Sequence, residues 1–169
     1  MERRTVPRTS SIRLPAEYGT PAQTLPWEDV RSRLERASQY WLATTRPDGR
    51  PHIVPVDGLW VDDRWYFGGS PEAIHQRNLR TNREIVVHLA DPMEAVIMEG
   101  LASWRVMTSS DARRLAAASK AKYGYAPPLH VYRSGVWTLE PRRVLAWTNF
   151  PRDATRFDFD LDPRTDIGG

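Results

Sequence analysis

The sequence predicts a β-dominated α+β fold: a small antiparallel barrel, closed or partly closed, with a few flanking helices. Three observations predict it. Alternating apolar runs follow one another from Tyr40 to Phe67, separated only by turn-forming residues. Short alternating runs recur from Glu84 to Thr148, and only two or three stretches carry helical spacing. The 169 residues, 40% hydrophobic and 27% charged, suffice for one domain with a buried core.

Taken in order, residues 1–23 show no periodicity and carry Arg3, Arg4, Arg8 and Arg13 among Pro7, Pro15 and Pro21. They read as a flexible arm, mobile or laid across a partner subunit. Thr24-Leu25-Pro26-Trp27-Glu28 starts a helix, with Thr24 as cap, and Trp27, Val30 and Leu34 share one face until about Ala37. Strands are expected over Tyr40–Thr45 and Pro51–Val56, joined by the turn Arg46-Pro47-Asp48-Gly49. Asp57-Gly58 breaks the second run as a bulge rather than a hairpin turn. Leu59–Val61 and Arg64–Phe67 form a pair about Asp62-Asp63. A short helix is expected over Pro71–Thr81, opened by Pro71, then strands over Glu84–Ala90 and Ala95–Met107. Ser109, Ser110 and Asp111 cap an Ala-rich helix reaching Lys122. After a loop containing Tyr123, Tyr125, Pro127 and Pro128, the last strands are expected over Val131–Leu139 and Arg143–Thr148, around a Glu140-Pro141 turn. The domain proper is thus expected over residues 24–157, with 158–169 as an acidic tail.

Composition excludes several functions. The chain has no cysteine, which removes disulfides, thiolate metal sites, cysteine nucleophiles and iron–sulfur clusters. No apolar run approaches the roughly 20 residues of a membrane span. The N-terminus lacks the apolar core of a secretory signal, so a cytoplasmic location is expected. Net charge is +3, and Lys120 and Lys122 are the only lysines. The arginines are spread along the chain without a basic stripe, so no nucleic-acid partner is expected. The four histidines, His52, His75, His88 and His130, show no paired metal-binding spacing, and no metal is expected. Neither a GxSxG elbow nor a GxGxxG fingerprint occurs.

The candidate site lies in Gly68-Gly69-Ser70-Pro71 and the segment after it. Two glycines permit close approach of backbone to a ligand, and a helix start presents free N–H groups that suit a phosphate. Ser70, His75, Arg77 and Arg80 add polar and basic groups. The same residues also fit a plain turn before a proline-started helix, and both readings stand open here.

The run RPDGRPHIVPV, followed by a Ser-containing loop and HQRNL, resembles the split-barrel flavin and deazaflavin proteins related to pyridoxamine 5'-phosphate oxidase. The resemblance covers about residues 25–150, with its specific motifs in 40–89. It implies a small antiparallel split β-barrel. In that family the loop and an Asn-Leu helix hold the cofactor phosphate, here Gly69, Ser70, Asn78 and the residues beside them. The residue three before the asparagine is usually Lys or Arg; here it is His75. Arg77 substitutes for it, or His75 binds an anion while protonated. By the same resemblance Arg50, His52, Val54, Pro55 and Val56 line the cofactor ring, and Tyr66, Phe67 and Gly68 lie near its ribityl chain. Pro55 marks an edge or irregular strand position. The family pocket lies between two subunits, so a homodimer is implied, with Trp137, Trp147 and Arg156 as contributions from the second subunit. Trp104, Tyr123 and Tyr125 belong to the core or to a ligand surface.

The function implied is an oxidoreductase moving a hydride between FMN or the deazaflavin F-420 and a small organic substrate. No catalytic residue is named, because the cofactor carries the redox chemistry. The rivals are a non-catalytic split-barrel protein binding flavin or heme, with His52 or His75 as axial ligand, and a dimeric scaffold with an empty rim. Authentic pyridoxamine-phosphate oxidation is disfavoured, because DFDLDPRTDIGG does not resemble the basic C-terminal motif of that enzyme.

Overall fold

The computed structural model describes residues 6–160. Arg3 and Arg4 of the expected arm, and residues 161–169 of the expected tail, lie outside the described residues.

The fold is a mostly antiparallel sheet with a few helices packed on it. Strand β1 spans Arg8–Ser11. Helix α1, Trp27–Arg36, buries Val30 and Leu34. Then come β2 (Tyr40–Thr45), β3 (Pro51–Val56), β4 (Gly58–Val61) and β5 (Arg64–Phe67). Helix α2, Ile74–Asn78, leads to β6 (Glu84–Leu89) and β7 (Val96–Arg105). Helices α3 (Ser109–Tyr123) and α4 (Leu129–Ser134) precede β8 (Val136–Ala146) and β9 (Thr155–Asp158).

The sheet runs β1-β9-β8-β7-β6-β2-β3, and a second branch, β5-β4, leaves β8. The first half of β8 pairs β5 through Trp137–Leu139, and the second half pairs β9 through Arg143–Ala146. The division falls at a bulge, where the register slips between Glu99 and Gly100 and Pro141 faces Gly100. A Cβ on Gly100 would come within 2.6 Å of Leu139 and 2.8 Å of the Glu140 carbonyl, so only glycine fits opposite the bulge. Residues β3 and β4 are nearly continuous, yet β3 pairs β2 while β4 pairs β5. The chain through Asp57, not a hydrogen-bonded ladder, joins the two ends of this ring, and the sheet is not closed.

Alternation decides what faces inward. Tyr40 and Leu42 of β2, Ile85 and Val87 of β6, Met98 of β7 and Leu139 of β8 fill the barrel with Trp65 and Phe67. Helix α1 covers one end through Val30 and Leu34. A second cluster, including Leu59, Tyr66, Leu115, Tyr132 and Val136, lies on the other face of β4–β5, beneath α3 and α4.

Several expectations are corrected. Arg8–Ser11 is not an unpaired arm: it forms β1 against β9. All four of its residues are exposed, so backbone pairing holds it and no apolar alternation announces it. Asp158, assigned to the tail, ends β9. Glu140-Pro141 is not a turn, because the long ladder of β7 carries β8 through it as a bulge, a place where proline is tolerated. The start of the expected Val131–Leu139 strand is helical, as α4. Pro26, not Thr24, stands at the N-cap of α1, and the Thr108 hydroxyl caps α3 by accepting from the Asp111 N–H at 3.1 Å. The expected helix from Pro71 begins only at Ile74, after a turn in which Ala73 N–H bonds the Ser70 carbonyl. No helix of the described residues is long and apolar enough to cross a membrane.

Candidate functional site

The segment from Gly68 to Leu79 crosses the barrel rim between β5 and β6 and is pinned by its own side chains. Gln76 donates to the Gly68 carbonyl at 3.0 Å and accepts from the buried Trp137 indole N–H at 2.7 Å. His75 Nε2 lies 3.4 Å from the same carbonyl. Asn78 donates to the Thr44 hydroxyl of β2 at 2.9 Å, and Leu79 is fully buried. Gly69 has φ +136°, and a Cβ there would stand 2.9 Å from His75 Nε2. The glycine is therefore required by both conformation and space. This segment forms a wall with a different cavity on each side.

On one side lies a cavity of about 380 Å³ between the β3–β4 junction, β5 and the α3–α4 pair. Of the expected site residues, Val56, Tyr66, Phe67, Gly68, Gly69 and His75 line it. Helices α3 and α4 and their loop contribute Ser119, Tyr123, Tyr125 and Tyr132. Asp57 stands at its edge and accepts from the Tyr125 hydroxyl at 2.5 Å. Lys122 ties α3 to the barrel by donating to the Tyr40 hydroxyl at 2.8 Å and the Gly58 carbonyl at 3.1 Å. Burial pushes its ammonium down to about 8.

On the other side lies a recess of about 320 Å³, lined by Arg46, Asp48, Arg50, Arg77 and Asn78. Arg50 forks onto Asp48, at 2.9 Å from Nε and 2.7 Å from Nη2. Arg77 is exposed and makes no ion pair among the described residues. The Nε of Arg46 is buried without a partner. Such a donor is costly to leave unpaired and suits an anion entering the recess. The donor set therefore fits the phosphate end of a flavin or deazaflavin cofactor.

The histidine reading changes with burial. Burial holds His75 below the ordinary histidine value, opposed in part by its contact to Gly68. Burial and the neighbouring Arg46 do the same for His52. At neutral pH His75 is thus an uncharged part of the wall, and the positive charge sits on the three arginines.

The remaining expected residues are dispersed. On β3, Val54 packs inward against the core, whereas Pro55 is exposed on the opposite face, as the two-residue period demands. Ser70 is exposed and accepts from the Glu72 N–H at 3.3 Å. Trp137 is buried in its own chain, where its indole N–H holds Gln76. Trp147 lies beyond the far end of β8, edge-on to Phe150. Arg156 forks onto Asp158. No cluster of metal-ligating side chains occurs among the described residues. Sequence reasoning missed Arg46, Gln76, Lys122 and Tyr132. Arg46 and Gln76 lie inside the RPDGRPHIVPV and HQRNL motifs, whose neighbouring residues drew the assignment, while the strand expected over α4 hides Tyr132.

The family model of pyridoxamine 5'-phosphate oxidase matches residues 26–148. No curated protein matches the chain. Solved structures share its fold at low identity. The conserved protein Rv2991 of Mycobacterium tuberculosis superimposes with a TM-score of 0.63 at 16% identity, covering 75% of this chain and 86% of that one. A provisionally assigned pyridoxamine 5'-phosphate oxidase of Listeria innocua gives 0.56 at 20% identity, over 72% and 98%. General Stress Protein 26 of Bacillus anthracis str. Sterne gives 0.56 at 17%, over 69% and 89%. With the family model spanning most of the chain and the split sheet matching its fold, the protein belongs to the pyridoxamine 5'-phosphate oxidase family of split-barrel, flavin-binding proteins.

Proposed function

We propose that the protein is a flavin- or deazaflavin-dependent oxidoreductase that moves a hydride between bound cofactor and a small organic substrate. One observation carries this reading: an apolar, aromatic cavity and an arginine-lined recess share the wall formed by residues 68–79. A cofactor with its phosphate in the recess and its ring laid along the wall would present that ring to a substrate held in the aromatic cavity. Arg46, Arg50 and Arg77 would hold the phosphate, and Val56 with Gly68 and Gly69 would border the ring. FMN or F-420, when bound, supplies the hydride chemistry. The chain's own part is to orient both molecules and to keep the cavity apolar, with Gln76 and Trp137 fixing the wall. The working unit is residues 24–157, acting in the cytoplasm.

The reading includes a homodimer. The outward face of β2, β3, β6 and β7 presents Trp41, Ala43, Ile53, Pro55, Val86 and Ile97, with Ile53 53% exposed. Such a largely apolar face, interrupted by His88 beside Ile97 and Glu99 beside Val86, suits a second copy. It adjoins the recess through β3, so a partner docked there would lie beside the phosphate end.

The test is an absorption spectrum of the purified protein, repeated after adding FMN and F-420 separately and desalting. Retention of one of them, followed by its reduction or oxidation with a turnover donor or acceptor, is expected. A retained heme band would favour the binding-protein reading. Loss of every chromophore on desalting would overturn the cofactor site.

A further inference from the structure

The larger cavity has a chemical character of its own. Asp57 is its single lining carboxylate, and neither lysine nor arginine lines it. The cations nearby are engaged elsewhere: Lys122 with Tyr40 and Gly58, Arg64 and Arg105 with the shared Glu140 carboxylate at 2.9 and 2.5 Å. Several of its polar groups are also satisfied by the protein. The Tyr123 hydroxyl both donates to the Gly58 carbonyl and accepts from its N–H, at 2.8 and 2.9 Å. The Tyr125 hydroxyl is held by Asp57, and the Ser119 hydroxyl donates to the Tyr125 carbonyl at 2.9 Å. What remains for a guest is mainly ring faces and aliphatic surface, with the His75 imidazole and the Asp57 carboxylate at the lining and Lys122 behind it.

We propose that this cavity takes a planar, apolar molecule without negative charge, recognised by stacking and shape rather than by directed hydrogen bonds. It would be the substrate of the oxidoreductase proposed above, and the assignment as substrate rests on that reading. Phosphorylated and carboxylated substrates are disfavoured, because Asp57 lines the cavity and neither lysine nor arginine does. A site with few directed hydrogen bonds discriminates weakly between isosteric rings, so tolerance of ring substituents is expected. The volume of about 380 Å³ falls within the size of small-molecule pockets.

A matched pair of fluorescent probes tests this. N-phenyl-1-naphthylamine is neutral, and 8-anilino-1-naphthalenesulfonate is the same skeleton with a sulfonate. The neutral probe is expected to saturate one site per chain and to bind at least about tenfold more tightly than the sulfonate. Asp57→Asn should bring the two affinities together. Val131→Trp, at a position that is 40% exposed and lines the cavity, should weaken the neutral probe about tenfold or more without loss of fold. Equal or tighter binding of the sulfonate would overturn the proposal, as would neutral-probe binding that Val131→Trp leaves unchanged. Displacement of the neutral probe by FMN or F-420 would overturn its assignment as substrate. The probes need no cofactor, so the two readings fail separately: a retained cofactor with no probe binding sinks only the substrate class. Selective probe binding with no retained cofactor sinks only the oxidoreductase.

Discussion

The two cavities on either side of residues 68–79 differ in almost every respect. One is aromatic, enclosed by α3 and α4, and carries a single aspartate. The other is lined by three arginines, one with a buried unpartnered nitrogen. They are built by different means. The recess joins two short segments, the 46–50 hairpin turn and the single helical turn of 74–78. The aromatic cavity needs segments far apart in the chain, β3 to β5 on one side and α3–α4 on the other. The contrast teaches that two short segments suffice to gather charge, whereas the aromatic space takes two helices laid over three strands.

The strongest way to break the contrast is to remove the wall. Trp137→Ala deletes the indole that holds Gln76 and opens a void beneath the segment, at an expected cost of about 3–5 kcal/mol. Urea unfolding should show that loss, and binding on both sides should weaken together. A cost below about 1 kcal/mol would mean that Gln76 keeps its place without Trp137.

A smaller change should separate the two sides. Arg77→Ala removes an exposed cation from the recess alone. The affinity for FMN or F-420 is expected to fall by about 1.5–3 kcal/mol, with the melting temperature and the neutral-probe affinity unchanged. Desalting retention and fluorescence titration measure the two. Equal loss on both sides would merge them into one site.

The smallest effect concerns the neutral histidines. Burial lowers His75, and burial with Arg46 lowers His52, from the ordinary value of about 6.5. Below that value the unfolded chain binds more protons than the folded one. The stability these groups contribute is therefore complete above about pH 6.5 and is lost as pH falls through their folded values. The melting temperature should drop between pH 7.5 and 5.5. His75→Gln, which keeps a donor near the Gly68 carbonyl, should flatten part of that slope. An unchanged slope would mean that His75 does not titrate with unfolding.

Much of the barrel was legible. Alternation in Tyr40–Thr45, Pro51–Val56 and Arg64–Phe67 and the Asp48-Gly49 turn follow from local rules, and the structure keeps each of them. The candidate site was legible as a place, since Gly68, Gly69, His75 and Asn78 all lie in the wall. Its chemistry was not. Asn78 looked like a ligand residue and is a buried strut to Thr44, because hydrogen-bond partners depend on which strand lies beneath. Sequence left Arg77 and a protonated His75 as alternatives, and burial, which no sequence position reports, lowers His75 and favours Arg77. Strand β1 was missed because its side chains are exposed and only its backbone is paired.

By itself, then, the sequence determined the strand periodicity, the turns, the glycines of the rim, the absence of thiol chemistry and the family. These depend on local backbone geometry and residue chemistry, which each stretch carries wherever it folds. The tertiary structure alone decided the fork of the sheet at the Gly100–Pro141 bulge, the continuation of β8 through a proline, and the division of the rim into two unlike cavities. Those features depend on long-range pairing and on what each side chain is buried against. The same Glu-Pro dipeptide that ends a strand in isolation is carried through when a long partner such as β7 supplies the ladder.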